Sequence, residues 1–311
     1  MKVIFFGLGS IGLRHAALLK KNTKFGIYAF RTYKGQGEND LGIPELTSWQ
    51  AVDRNRSEVA FITNPTALHI STAIKCAQRG MHLFIEKPLD NRMRNLHKLL
   101  RIVSRENITT YVAYVLRFHP VIQQLKRILK NQKILHVRVV VATYLHRWRP
   151  KFDTLKSYSA YRQMGGGVIW DLSHELDYVH YLLGGIQRMQ GRFSRRSSLT
   201  VDSEDYADIL IDTLKGPVNL HMNLFSQREE RLIQIDCPDR YLEGDLRAFT
   251  LSEFREGKLS KIKRWPRDMG GCYLRQLQFF FKHLHHPRMM NNVFEAVPLW
   301  EKIYAFQRKG I

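Results

Sequence analysis

Cysteine is scarce. Only Cys76, Cys237 and Cys272 occur in 311 residues, far apart and in no metal-ligand spacing, which excludes a disulfide framework and a structural zinc cluster and fits a reducing compartment. No metal is expected. Long apolar runs are missing as well. The N-terminal run Val3 to Phe6 is short and enters a glycine-rich turn, so it reads as a first strand and not as a signal peptide or a membrane span. A cytoplasmic protein without a membrane partner is the expectation. Acidic residues are few beside the basic ones: 28 Asp and Glu against 49 Lys and Arg, a formal charge of +21. Such a balance raises nucleic-acid binding as a class. The excess is spread along the chain, however, with small clusters only at Lys20-Lys21, Arg195-Arg196 and Lys261 to Arg264, and no nucleic-acid motif accompanies them. Specific nucleic-acid recognition is therefore not expected, and the positive field is read as serving anionic ligands diffusely. Internal repeats and low-complexity stretches are also lacking.

What is there points to two domains. A chain of this length exceeds what one hydrophobic core usually serves, and 44% hydrophobic with 25% charged residues is ordinary for a globular protein. Val3 to Phe6, the turn Gly7-Leu8-Gly9-Ser10-Ile11-Gly12, a helical stretch from Leu13 to Lys21 and a strand at Phe25 to Phe30 follow one another. A G-x-G-x-x-G match gains weight in this strand, turn, helix, strand context, since glycines let the backbone approach a pyrophosphate at a helix N-terminus. A glycine turn without a ligand is the plain alternative. NAD-preferring sites tend to carry an acid at the end of the second strand; this chain has Arg31-Thr32-Tyr33-Lys34, and Arg31 would pair with a 2′-phosphate. NADP(H) is thus expected to be preferred, with NAD(H) possible.

Strands and helices then alternate: Val59 to Thr63, Thr66 to Arg79, His82 to Ile85, Asn95 to Arg105 and Thr109 to Tyr114. This spacing predicts an α/β fold, a Rossmann doubly wound parallel sheet with ligands at the strand C-terminal ends, where Asn64 and Lys87 fall. From Lys133 the pattern is β-rich, with Val137 to Tyr144, Tyr206 to Thr213 and Val218 to Phe225, and predicts a C-terminal α+β domain with a largely antiparallel open-faced sheet. The domains are placed at 1–118, dinucleotide-binding, and 119–311, for substrate binding and oligomerisation, the last helix being free to pack back on the first domain. Lys258 to Arg267 reads as a loop, and Leu274 to Leu284 and Val297 to Gln307 as closing helices.

Between them lies Gly165 to Tyr178. At about 100° per residue, Val168, Ile169, Leu172, Leu176, Val179 and Leu183 share one arc of a helix, with Asp171, His174, Asp177, Trp170, Tyr178 and Tyr181 roughly opposite. That second face reads either as the wall of a pocket or as an ordinary exposed surface.

These segments resemble the glucose-fructose oxidoreductase, inositol dehydrogenase and rhizopine-catabolism family over nearly the whole chain. The likeness rests on Gly7 to His15, Thr63-Asn64-Pro65-Thr66 with His69, Glu86-Lys87-Pro88, Tyr114 to Pro120, Gly165 to Tyr178 and Glu204-Asp205-Tyr206. The last two segments, with Trp148-Arg149-Pro150 and Lys156 to Ser159, look most like members associated with bacterial surface-sugar synthesis. The resemblance implies hydride transfer between NAD or NADP and a secondary alcohol or ketone of a sugar, nucleotide sugar or cyclitol bound between the domains, and a homodimer or homotetramer through the C-terminal sheet. By motif position it implies cofactor contacts at Gly7, Gly9, Ser10, Ile11, Gly12, Arg31, Thr32, Asn64, Pro65, His69, Glu86 and Lys87. Lys87 resembles the active-site lysine and His174 with Asp171 the catalytic pair, while Arg117, Trp148, Asp177 and Tyr178 would meet substrate. An imidazole can give or take the proton that accompanies hydride transfer, and an ammonium can stabilise the charge on the reacting oxygen. One departure stands out: the family spaces the pair as Asp-x-x-x-His, and here Asp171 and His174 are three apart, so Asp177 and Tyr178 could share the role. A dinucleotide-retaining enzyme with no net redox change (elimination or hydrolysis) and a non-catalytic regulatory protein are the other classes.

Overall fold

The computed structural model describes residues 1–31, 39–148, 161–162 and 165–309, the side chains of Trp148 and Lys309 excepted. Two compact units divide it, residues 1–113 with 273–298 and residues 114–272 with 299–311.

In the first unit, β1 (Lys2–Phe6), α1 (Ser10–Asn22), β2 (Gly26–Phe30), β3 (Glu45–Leu46), α2 (Trp49–Asn55), β4 (Val59–Ile62), α3 (His69–Ala77), β5 (His82–Glu86), α4 (Leu96–Arg105) and β6 (Thr110–Ala113) follow in order. The six strands pair in parallel as β3-β2-β1-β4-β5-β6, the doubly wound order. Near-continuous apolar strands are what a sheet covered on both faces requires. Val3, Ile4, Phe5, Val59 to Ile62 and Leu83 to Ile85 are accordingly without accessible surface. Phe5, Phe61 and Phe84 stack across β1, β4 and β5 with centroids 4.6 and 4.5 Å apart. Phe280 meets this ladder edge-on at 5.4 Å from Phe84, and that aromatic packing is why residues 273–298 fold with the first unit although they come last in sequence.

The second unit holds α5 (Pro120–Ile128), β7 (His136–Tyr144), α6 (Leu145–Trp148), α7 (Val168–Asp171), α8 (His174–Leu182), β8 (Ile186–Ser194), β9 (Tyr206–Thr213), β10 (Pro217–Asn223), β11 (Phe225–Asp236), β12 (Tyr241–Asp245), β13 (Thr250–Arg255) and β14 (Lys258–Arg264). Two further helices, α9 (Met269–Lys282) and α10 (Val293–Lys309), end the chain and run across the division between the units. The eight-stranded sheet runs β14-β13-β12-β11-β7-β10-β9-β8 and is antiparallel except at β7 with β10. Alternation is clear in β9, where Ala207, Ile209 and Ile211 are buried and Asp208 and Leu210 exposed. The buried face takes α5 so closely that a Cβ on Gly244 would lie 2.8 Å from Val121 Cγ1. The other face carries charged side chains and the exposed Leu210.

Lys258 to Arg264 is a strand and not the loop that its charge suggests. It pairs antiparallel with β13, Thr250 opposite Arg264 and Ser252 opposite Ile262. Lysines on both sides suit an edge strand, where charge deters further pairing. Among the described residues no helix is long and apolar enough to cross a membrane.

Candidate active site

In the first unit the strand-to-helix turn is built by two glycines that admit no side chain. Gly7 has φ +108° and a Cβ there would sit 2.6 Å from Asn64 N; a Cβ on Gly12 would sit 2.2 Å from Gly7 O. Thr63 Oγ1 donates to Gly7 O at 2.6 Å and fixes the turn. Gly9, by contrast, faces open space with nothing within 4 Å, and Ser10 beside it is exposed. The first turn of α1, which includes Ser10, Ile11 and Gly12, has no acidic residue and no side-chain cap. Such a helix start, with free N–H groups and a bare approach, fits a pyrophosphate.

At the end of β2 the structure adds a partner that sequence reading missed. Arg31 Nη1 donates to Glu45 Oε1 at 2.7 Å, and Asn39 Nδ2 reaches the same oxygen at 2.9 Å. Partial desolvation opposes ionisation of Glu45, but the bonds from Asn39 and Arg31 outweigh it and hold its carboxyl below the usual range. Arg31 is thus not waiting for a 2′-phosphate alone. Thr32 lies outside the described residues.

His69 and Glu86, expected among the cofactor contacts, are turned inward. His69 is 2% exposed, with Nδ1 2.8 Å from Pro88 O and Nε2 2.8 Å from Asn64 O. Burial drives its pKa down against the opposing pull of both carbonyls and Glu86. Glu86 takes His15 Nε2 on Oε1 at 2.7 Å and the Lys87 N–H on Oε2 at 3.1 Å. Both side chains therefore brace the ends of β4 and β5, next to the half-buried Lys87. Asn64 Nδ2 donates to Thr72 Oγ1 at 2.9 Å, and its Oδ1 has no hydrogen-bond partner. Pro65 is exposed.

In the second unit, Val168 to Leu183 is not the single helix that its apolar period predicts. Gly167, at φ +125°, opens α7, Leu172 and Ser173 form a turn, and α8 starts at His174. The i to i−3 bonds Ser173 N to Trp170 O, 3.4 Å, and Glu175 N to Leu172 O, 3.2 Å, tighten the chain there. Asp171 closes α7 at 1% exposure. His174, half-buried, opens α8 with its ring edge-on to Tyr114, centroids 5.6 Å apart. The break sets the shortened spacing between them in a turn, so regular helix geometry does not apply to the pair.

Asp177, Tyr178 and Trp170 of the supposed pocket wall are internal, and Tyr181 is half-buried. Asp177, 1% exposed, accepts from Arg117 Nε at 2.9 Å and Nη2 at 2.7 Å, and the guanidinium lies 4.8 Å from the Tyr181 ring centroid. This buried fork pair assigns Arg117 and Asp177 to each other, where the sequence suggested substrate contacts. Tyr178 has no accessible surface, and burial, with Glu175 nearby, pushes its hydroxyl well above the ordinary range; it is a core residue. Trp170 stacks on Trp300 at 4.9 Å. The Trp148 side chain lies outside the described residues.

Sequence reasoning also passed over Glu204 as a working group. Its Oε1 accepts from Gln307 Nε2 at 2.9 Å, and Arg162 Nη2 stands 3.8 Å from Oε2. Burial raises the carboxyl to about 7, and Asp171 adds to the lift. An acid whose folded pKa lies above its ordinary 4.5 binds more protons folded than unfolded in that window, so its contribution to stability is complete below about 4.5 and is lost as pH rises through about 7. The unfolding temperature of the second unit is expected to fall as pH rises across that range, and Glu204→Gln to flatten the slope. A slope unchanged in the variant would show that this carboxyl titrates normally.

Residues 1–114 match the family model described as the oxidoreductase family with an NAD-binding Rossmann fold, and residues 122–239 match that of the GFO/IDH/MocA C-terminal domain. The chain belongs to the Gfo/Idh/MocA oxidoreductase family. Among curated relatives, it is 22% identical over 191 residues to myo-inositol 2-dehydrogenase of Thermotoga maritima, covering 59% of this chain and 55% of that one. It is 26% identical over 188 residues to 2,7-anhydro-N-acetylneuraminate hydratase of Escherichia coli, covering 58% and 50%. The chain spans about half the length of these curated relatives. The solved structure of UDP-N-acetylglucosamine 3-dehydrogenase from Acidithiobacillus ferrooxidans superposes with a TM-score of 0.80 at 18% identity, over 100% of this chain and 97% of that one, and shares the fold.

Proposed function

We propose that this protein transfers a hydride between a nicotinamide dinucleotide and a carbon of a sugar, nucleotide sugar or cyclitol that alternates between secondary alcohol and ketone. The observation that carries this reading is the turn joining α7 to α8, which buries Asp171 and leaves His174 half-exposed directly after it. The dinucleotide, when bound, supplies or accepts the hydride. Gly7 to Gly12 and the start of α1 hold its pyrophosphate through backbone N–H groups. The Lys87 ammonium donates to the reacting oxygen and stabilises its developing negative charge. His174 takes the hydroxyl proton in oxidation and returns it in reduction. Asp171, buried and close in sequence, orients the imidazole and favours its protonated form. Oxidation of reduced cofactor and reduction of oxidised cofactor, measured against panels of keto-sugars, free sugars, cyclitols and nucleotide sugars, test the reading; no change with any panel member would count against it. The likeness to a hydratase favours one second reading, net elimination or hydration through transient oxidation. The same panel separates it, since product would then form while the nicotinamide absorbance returned to its starting value.

We further infer a preference for NADP(H) over NAD(H), narrowed by Glu45. A 2′-phosphate gains a charge-assisted pair with Arg31 but must first displace the carboxylate already there. Glu45→Gln is expected to tighten NADPH binding by about tenfold and leave NADH nearly unchanged, and Arg31→Asp to reverse the preference. Equal affinities for the two cofactors in the parent protein, read by nicotinamide fluorescence, would contradict this. In the same reading the open face of the eight-stranded sheet, with Leu210, joins copies into a dimer or tetramer, which light scattering would show. Three cysteines that form no disulfide fit a cytoplasmic location.

A further inference from the structure

Glu204 is a buried acid that the chemistry above leaves unused. Its side chain is 3% exposed, and it lies two residues before β9, against the glycine turn that leads into α7. Its backbone carbonyl accepts from Val168 N–H at 2.9 Å, and Asp171 N–H bonds Gly167 O at 2.8 Å. Gly167 itself rests on the carboxyl: a Cβ there would be 2.5 Å from Oε1 and 2.9 Å from Oε2. Gln307 Nε2 holds Oε1 from the far side.

We propose that Glu204 is a positioning residue for the Asp171 and His174 pair: its carboxyl supports the turn that carries Asp171 and, by gaining or losing a proton, sets how much negative charge stands beside that pair. This rests on the reading of Asp171 and His174 as the proton-handling groups. The charged groups acting on the carboxyl are Arg162, from the segment before the glycines, and Asp171, from α7. Gln307 of α10 is neutral. The adjacent Asp205 is committed elsewhere, accepting from Arg196 N at 2.7 Å and Ser197 N at 3.0 Å. Burial places the Glu204 transition at about 7, within the range where an imidazole also titrates. Above that pH the ionised carboxyl adds a negative charge near Asp171 and favours the imidazolium form of His174; below it the charge is gone.

Histidine labelled with ¹³C in the ring, with the His174 signal identified by its loss in His174→Ala, reads this coupling without any turnover. In Glu204→Gln the midpoint of the His174 titration is expected to fall by about half a pH unit or more relative to the parent. An unmoved midpoint in a variant with parent-like circular dichroism would reduce Glu204 to packing and overturn the proposal. Should Glu204→Gln fail to fold, Gln307→Leu decides: removing that donor raises the proton affinity of Glu204, so the His174 midpoint must again fall, and an unmoved midpoint contradicts. Because no sugar is needed, failure of the coupling is separable from failure to find a substrate. Where a substrate is in hand, the pH profile of kcat/KM is expected to shift in the same direction.

Discussion

Lys87→Ala and His174→Ala should each lower kcat on the order of 10²-fold or more while leaving dinucleotide affinity within a few-fold of the parent. The size follows from removing a group that acts on charge or proton in the transition state, which costs roughly 10²- to 10⁴-fold. The sparing of cofactor binding follows from the proposed division of labour, in which the glycine turn and the start of α1, and not the side chain at position 87, hold the pyrophosphate. Asp171→Asn should cost less, since the amide keeps the shape and loses only the charge. The Lys87 and His174 double variant should fall short of the product of the single losses, because groups acting on one transition state are not additive. Steady-state kinetics with the substrate found by the panel, beside cofactor titrations, check all four. Near-normal turnover in either alanine variant would place the chemistry elsewhere.

Arg117→Ala should be the most destabilising of the substitutions considered. It would take the guanidinium fork away from Asp177, at 1% exposure, and breaking a buried charge pair costs about 3–5 kcal/mol. In a unit of this size that lowers Tm on the order of 10 °C. Arg117→Lys should recover only part of the loss, because a single ammonium cannot reproduce the fork of Nε and Nη2 on the two carboxylate oxygens. Replacing both partners, Arg117→Met with Asp177→Leu, should be milder than Arg117→Ala alone, since no charge is then left buried. Scanning calorimetry decides it, and a Tm for Arg117→Ala within a degree or two of the parent would mean that Asp177 is protonated or hydrated and that the pair does not hold the fold.

Local sequence carried β1, β2, β4, β5 and β6 of the first unit and the helices α1, α3 and α4 between them, but not β3 and α2, where no element was read. Short apolar strands punctuated by glycine and by Asn64-Pro65 specify a parallel sheet because both of its faces are covered, so no strand needs a mixed pattern. What stayed hidden depended on partners distant in the chain. Nothing local to Lys258-Leu259-Ser260-Lys261 announces a strand, as only the facing β13 makes it one. The break at Leu172 and Ser173 has no proline or glycine to mark it, and an apolar period running through it imitates one helix. Arg117 and Asp177 were legible as charged residues near the right place, but their mutual bond spans 60 positions, and charge alone cannot tell a substrate contact from an internal pair. His69 and Glu86 were found by motif, and only the carbonyls and the imidazole they meet show that they brace the site from within. Glu45 looks like an ordinary surface acid, and Glu204 like part of a motif with no stated role, until their neighbours at Arg31 and Gly167 are known.

The most direct measurement of the function is the fate of the hydride. The protein would be incubated with cofactor carrying deuterium at the transferable position of the nicotinamide and with a keto-sugar that the panel shows to be reduced, and the product analysed by mass spectrometry and proton NMR. One deuterium on the new carbinol carbon, with an equal amount of oxidised cofactor, is the expected result, and its appearance should slow on the order of 10²-fold in His174→Ala. Product without deuterium, or oxidised cofactor without reduced sugar, would contradict direct hydride transfer between the nicotinamide and a sugar carbon.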